Sequence, residues 1–430
     1  MAHRLAIVAR FRRALARRAT AVASSLGEAR PLADTLTAEI LPLLEAARYL
    51  ERRAEALLAP RRLGESGRPL WLAGTDQIVL REPWGAILIL APSNYPIMLP
   101  GIQALQALVA GNAVAWKPGR GGAPASRAIG ALLVEAGLPP DLLDVTADDD
   151  ETGRSLAASG FDRIVLTGSA ATGRGVLAAA AANLTPCTME LSGADPVYVL
   201  PGADLELVAG CLLYGLRLNG GATCIAPRRV LAGAATLARL EPMLLNGLTA
   251  IPPVRVPPPA LAALRFLARE AVSRGARPLR AIPEPDASSM APLVLADCPH
   301  DLALLCRDIF APWLALVPVP SPAHAADIER SSPLSLGASI FGPTRPAAAF
   351  AAGLAAGATT INDLIVPTAD PRIAFGGAGG SGFGVTRGPE GLLDMTRPRS
   401  ISIRRPRGFR PHLKPGDPGQ LARLIALLHG

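Results

Sequence analysis

The stretch WGAILILAPSNYPIMLPGIQALQALVAGNAVAWKPG, residues 84–119, decides the fold class. AILILA (86–91) is a short, wholly apolar run, the pattern of a strand buried on both faces. A turn of Pro, Ser and Asn follows, then an apolar stretch of helical composition (99–110), then a second short run, AVAWK (113–117). Strand, helix and strand in so few residues predict a parallel pair joined by a crossover helix. The alternation continues through LLDV (142–145), RIVLTG (163–168) and PVYVL (196–200), with helical stretches at 122–136, 171–183 and 203–218. WLALVPV (313–319), GASIFG (337–342) and ATTIND (358–363) resume it as a second α/β unit, whereas the Pro-rich segment 240–300 resists assignment.

Residues 1–60 read as helical. PLWLAGTDQIVLREP (69–83) reads as two strands turning at Gly74–Asp76, and RSISIR (399–404) as another strand. A Pro/Arg linker then leads to an amphipathic helix at 419–430, expected to pack on its own protein. The 430 residues allow about three domains. Half of them are apolar, and 42 Gly and 42 Pro imply many tight connections. No apolar run approaches the roughly 20 residues of a membrane-spanning helix. A net charge of +8 gathers at RFRRALARR (10–18) and RRPRGFRPHLK (404–414), and with 4% aromatic residues it offers nucleic acid no stacking platform. The five cysteines show no metal-ligand spacing, so reduced thiols in a cytoplasm are expected and no metal site.

Of 43 basic residues only Lys117 and Lys414 are lysine, which draws notice to Lys117 at a strand end. Asn94 follows AILILA, at the carboxyl end where α/β sites form. Gly168 and Ser169 enter a helix, whose free N–H groups suit an anion. Glu190 sits near a further strand end, and Cys224 lies in the lean loop RLNGGATCIAPRR (217–229). Each has an ordinary reading: a small buried hydrophobe for the cysteine, turn chemistry for the asparagine, solvated charge for the others.

Their order removes the ambiguity. PSNYP (92–96), KP (117–118), LTGSAATG (166–173), ELSGADP (190–196), NGGATC (219–224) and FGGAGGSG (375–382) together resemble the aldehyde dehydrogenase superfamily from about residue 80 to 400, most like its compact, often dimeric class. The resemblance implies a Rossmann-type cofactor domain (1–68 and 81–192) and a second α/β catalytic domain (193–360). It also implies a small β oligomerisation or bridging element (69–80 and 395–406), a return segment lining the site (361–394) and a C-terminal tail (407–430). The implied reaction is NAD(P)-dependent oxidation of an aldehyde to a carboxylic acid by a homodimer. Cys224 would attack, the Asn94 amide and the Cys224 N–H would hold the oxyanion, and Glu190 would activate water against the thioester. Lys117 resembles the lysine that holds the adenosine ribose, Ser169 with Gly168 the pyrophosphate contact, Asp308 a glutamate on the nicotinamide ribose, and Phe310 the aromatic beside it.

Departures from the family pattern are Asp308 for Glu, Ala222 for Gln, Ser93 for Trp, and ELSGADP, which lacks a glycine and a lysine. Arg120 stands where a glutamate commonly repels a 2′-phosphate, so NADP is expected beside NAD; the alternative is a guanidinium turned to solvent. An acyl-CoA-forming or acyl-reducing relative and a catalytically impaired family member are the competing readings. Ile97, Met98, Ile225, Ile365 and Val366 are expected to line an apolar aldehyde tunnel.

Overall fold

The computed structural model of the chain describes residues 1–27, 30–406, 410, 413 and 416–429. Two mainly parallel sheets dominate it. In the first, six strands lie in the order Gly382–Phe383, Cys187–Leu191, Arg163–Gly168, Ala86–Leu90, Ala113–Lys117, Leu143–Val145, all parallel except the first. From Ala86–Leu90 the chain steps outward twice, then returns to the opposite flank at Arg163–Gly168. That reversal opens a crevice beyond the carboxyl ends of the central strands, the position where open α/β sheets bind ligands.

Both faces of this sheet are covered. Ile87, Ile89 and Trp116 pack with Leu43, Leu105 and Leu133 from the helices Leu41–Leu58, Met98–Ala110 and Ala123–Glu135, joined by Phe11 of the first helix, Ala2–Arg17. Leu88, Ile164 and Met189 face Ala157 and Val176 of the helices Asp150–Ala158 and Ala170–Ala181. Burial on both faces explains why these strands are continuous apolar runs rather than alternating ones.

The second sheet has seven strands in the order Arg277–Pro278, Leu293–Ala296, Trp313–Pro318, Arg229–Ala232, Pro196–Val199, Gly337–Phe341, Ala358–Ile361, parallel but for the first. Helices Leu205–Arg217 and Ala234–Leu248 cover one face. Pro258–Ser273, Pro322–Arg330 and Thr344–Ala351 cover the other. The segment 240–300 thus resolves into most of helix Ala234–Leu248, helix Pro258–Ser273, the sheet strands Arg277–Pro278 and Leu293–Ala296, and a short antiparallel pair, Val254–Arg255 with Ser289–Met290. Its prolines stand at helix starts and connections, apart from Pro242 inside Ala234–Leu248 and Pro278 in the edge strand Arg277–Pro278.

Two expectations are corrected. Residues 69–83 do not form a hairpin: 70–72 are one turn of 3₁₀ helix, and Thr75–Pro83 is a single strand. Its antiparallel partners are remote, Arg61–Arg62 and the whole of Thr396–Arg404. The final helix, Pro418–His429, buries none of its residues and exposes Leu421, Leu424, Ile425 and Leu428, so the packing expected of it is not formed. Within the basic stretch 404–414, residues 407–409, 411–412 and 414 lie outside the described residues.

One buried acid fixes the approach to the crevice. Glu39 is 0% exposed and accepts hydrogen bonds from the backbone N–H groups of Ile97, at 2.7 Å, and Met98, at 3.1 Å, at the start of helix Met98–Ala110. Arg30 bridges Glu39 to the Asn94 carbonyl. Removing the carboxylate orphans two helix donors and strands a guanidinium, which costs about 3 kcal/mol or more. Glu39→Ala is therefore expected to lower the unfolding free energy by that amount, seen as a lower urea midpoint at unchanged m-value, whereas a loss under about 1 kcal/mol would contradict this role.

Candidate functional site

The two sheets meet across the crevice with opposite polarity. Asn94, Gly168, Ser169 and Glu190 come from the carboxyl ends of the first sheet's strands. Cys224 and Asp308 come from the loops that precede Arg229–Ala232 and Trp313–Pro318, at the amino ends of the second. A cavity of about 560 Å³ brings these residues together with Phe310. Lys117 and Arg120 line an adjoining cavity of about 640 Å³. The two cavities share Pro92, Ser93, Thr167, Gly168 and Thr172 and so form one trough.

The loop carrying Cys224 is fastened to the first sheet. Asn94 Nδ2 donates to the Ala222 carbonyl at 3.0 Å, and Asn219 Nδ2 donates to the Asn94 carbonyl at 2.9 Å. The Tyr95 and Thr223 hydroxyls lie 2.7 Å apart. The leanness of the loop has a steric cause. Gly221 has φ +74, and a Cβ there would sit 2.5 Å from the Ala311 carbonyl oxygen. Arg228 completes the joint, donating to the carbonyls of Gly221 at 2.7 Å and Ala311 at 2.8 Å.

Both reactive groups are disfavoured as ions. Burial pushes the Cys224 thiol well above its ordinary value, aided by the carboxyls of Glu190, Asp195 and Asp308, with Arg387 opposing. Burial likewise raises Glu190, against the Arg387 guanidinium and hydrogen bonds from Thr386 and Thr167. Thr386 Oγ1 donates to Glu190 Oε2 at 3.0 Å, while Oε1 is buried without a partner. A neutral thiol and a carboxyl with a spare acceptor therefore line one cavity.

Several features fit a dinucleotide. Ser169 caps helix Ala170–Ala181, its Oγ accepting from the Thr172 N–H at 3.1 Å, so the remaining free N–H groups open toward the trough. Lys117 Nζ donates to the Asp148 carbonyl at 3.2 Å, and burial lowers its pKa. Arg120 lies at the rim, 2.8 Å from Asp150, so a carboxylate already engages it. Asp308 has a side chain 7% exposed, and its Oδ1, 3.9 Å from a nitrogen of Arg228, is a buried acceptor with no hydrogen-bond partner.

Sequence reasoning missed Thr386 and Arg387 near Glu190, and Arg228 beneath the nucleophile loop; charged or plain, they carried no motif signal. It also misplaced the apolar wall. Ile97, Met98, Ile225, Ile365 and Val366 lie outside the linings of both cavities, where Leu99, Pro257, Pro259, Ala260 and Ile309 stand instead. Ile97 is directed into the core beneath helix Met98–Ala110, 0% exposed.

With this geometry in hand, comparison with known proteins decides the family. The family model described as the aldehyde dehydrogenase family matches residues 1–401. The chain belongs to the aldehyde dehydrogenase family. It is 32% identical over 378 residues to the 4,4'-diapolycopene aldehyde oxidase of a Methylomonas species, covering 85% of this chain and 71% of that one. It is 27% identical over 383 residues to a probable coniferyl aldehyde dehydrogenase of Pseudomonas aeruginosa, covering 87% and 80%. Among solved structures, the NADP-dependent glyceraldehyde-3-phosphate dehydrogenase of Bacillus halodurans, complexed with NADP, superposes with TM-score 0.84 at 26% identity over 93% of this chain and 86% of that one. The fold is that of the aldehyde dehydrogenases.

Asp308 supplies a pH dependence with a definite sign. Burial pushes its carboxyl up to about 6, with Arg228 and a Ser192 hydrogen bond pulling the other way. Below that value the neutral acid predominates and accepts donors poorly; above it the carboxylate accepts them well. Dinucleotide affinity, followed by fluorescence titration, is expected to fall as pH drops through about 6. Asp308→Asn should bind weakly with a flat profile, and an equally steep profile in that variant would refute the assignment.

Proposed function

We propose that the chain oxidises an aldehyde to a carboxylic acid with NAD or NADP, through a covalent adduct on Cys224. The observation that carries this reading is the convergence of Cys224, Glu190 and Asn94 on one cavity that continues into the trough of Lys117, Gly168 and Ser169. Those three, with Asp308 and Phe310, would hold the dinucleotide. When bound, it supplies the hydride acceptor.

Cys224 surrenders its proton to water in the trough and its sulfur attacks the carbonyl carbon, giving a tetrahedral thiohemiacetal oxyanion. The Asn94 amide, held on the nucleophile loop through Ala222, and the Cys224 backbone N–H face that oxyanion; one such donor is worth about 3–4 kcal/mol. Loss of hydride leaves a thioester. Glu190 then takes a proton from water, whose oxygen attacks the thioester carbon; the acid leaves and the thiol is restored. A base already placed beside the sulfur favours hydrolysis over transfer to coenzyme A, and intact Cys224, Glu190 and Asn94 support an active enzyme.

The apolar residues Leu99, Pro257, Ala260 and Ile309 in the cavity wall support an apolar aldehyde, and the aldehydes in the relatives' names are the first to screen. Arg120 supports use of NADP, moderated by its pairing with Asp150. The domain division given by the sequence belongs to this reading. So does a homodimer formed through the largely exposed strand Thr396–Arg404. The five free thiols support a reducing compartment such as the cytoplasm.

Rapid-mixing absorbance with NAD and with NADP tests the sequence of steps. Glu190→Gln is expected to give one equivalent of reduced dinucleotide per site in a burst, then a steady-state rate reduced about 100-fold or more. Cys224→Ala should give no burst. Undiminished steady turnover in Glu190→Gln, or a burst in Cys224→Ala, would overturn the mechanism.

A further inference from the structure

The reaction proposed above leaves one charged neighbour of Cys224 and Glu190 without a task. Arg387 follows Thr386, the hydroxyl donor to Glu190. It is 6% exposed, and its backbone holds φ +61, a region that side-chain-bearing residues seldom occupy. Its guanidinium carbon lies 4.1 Å from the centroid of the Phe375 ring, and Nη1 donates to the Thr368 carbonyl at 2.8 Å. Nε is buried with no partner. Among the described residues Arg387 forms no ion pair. A cation in such a place is strongly disfavoured unless negative charge answers it. Its chain neighbour Thr386 holds Glu190, and Glu190 lines the same cavity as Cys224; both groups act on the guanidinium electrostatically. Arg387 is absent from the cavity lining, so it acts through these two groups rather than on substrate.

We infer that Arg387 is a positioning residue for the reaction at Cys224: its buried guanidinium, one residue along the chain from the Thr386 that holds Glu190, balances the negative charge that the sulfur and the Glu190 carboxylate each carry during turnover. The surroundings make that charge consequential. Glu190 from the first sheet, Asp195 at the start of Pro196–Val199 and Asp308 from the loop before Trp313–Pro318 all oppose a thiolate. Arg228, beneath the nucleophile loop, and Tyr95, bonded to Thr223, also face the sulfur. Packing against Phe375 and the Thr368 carbonyl fixes the guanidinium but leaves its charge uncancelled, which a purely structural arginine would not need. The inference rests on Cys224 as the nucleophile, yet it concerns ionisation and can be tested without an aldehyde.

Iodoacetamide alkylation provides that test, since the thiolate displaces iodide to form a stable thioether. Rates are followed against pH by the mass of the peptide containing Cys224, which keeps Cys187, Cys211, Cys298 and Cys306 separate. Arg387→Gln retains a donor toward Thr368 but no charge; its midpoint is expected about one pH unit or more above the native one, with alkylation roughly tenfold slower below it. Arg387→Lys retains the charge and should keep the native midpoint, although either variant can lower the melting temperature. Superimposable native and Gln profiles in folded protein overturn the inference, as does a Lys variant displaced as far as Gln. If the Gln variant does not fold, the Lys variant decides: a native midpoint supports the charge role, and a displacement of one unit refutes it. Failure of the aldehyde reading would show separately, as no turnover by native enzyme with a midpoint still governed by residue 387.

Discussion

The site depends on a junction between two sheets. The turn Asn94–Tyr95, leaving the first sheet, and the loop 219–223, entering the second, are joined by side-chain hydrogen bonds at 2.7 to 3.0 Å. Each bond alone contributes about 1 kcal/mol. Together they set where the sulfur stands relative to the crevice, because Cys224 directly follows the residues they hold. Glu39 anchors the first partner from below through Ile97, Met98 and Arg30, and Arg228 anchors the second through Gly221 and Ala311. Asn94 therefore has one observed office, its amide locking the loop that carries Cys224, and in the proposed mechanism a second, facing the oxyanion.

A second constraint is electrostatic. Three carboxyls surround the thiol, and burial raises each of them and the thiol together. In such a cluster each ionisation opposes the next, and an approaching cation eases them. Arg228 and Arg387 are the fixed cations of this neighbourhood, both buried and both held by backbone carbonyls rather than by full ion pairs. Their charge is left largely uncancelled by direct ion pairs, the condition that the role inferred for Arg387 requires.

Much of this was legible in the sequence, for physical reasons. Strands buried on both faces must be continuous apolar runs, so 86–91 and 113–117 announced themselves, and the ordered motifs supplied the residues at their ends. What stayed hidden was long-range or charged. The partner that pairs with the whole of Thr75–Pro83 lies over 300 residues away, beyond any local pattern, and the residues before it offered a false turn. Arg229–Ala232 begins with a side chain 2% exposed, paired with Glu329 at 2.8 Å, whereas sequence patterns assign arginine to the surface. Glu39 and Arg387 escaped for the same reason: a buried charge becomes intelligible only when its partners are seen.

The central claim is that the Cys224 sulfur captures the carbonyl carbon facing the dinucleotide trough. Its most direct measurement is peptide mass spectrometry after acid quench of Glu190→Gln protein exposed to an aldehyde and a dinucleotide. The account requires the acyl increment on the peptide bearing Cys224, and only when the dinucleotide is present. An unmodified Cys224 beside product formation, or the increment on another cysteine, would contradict it.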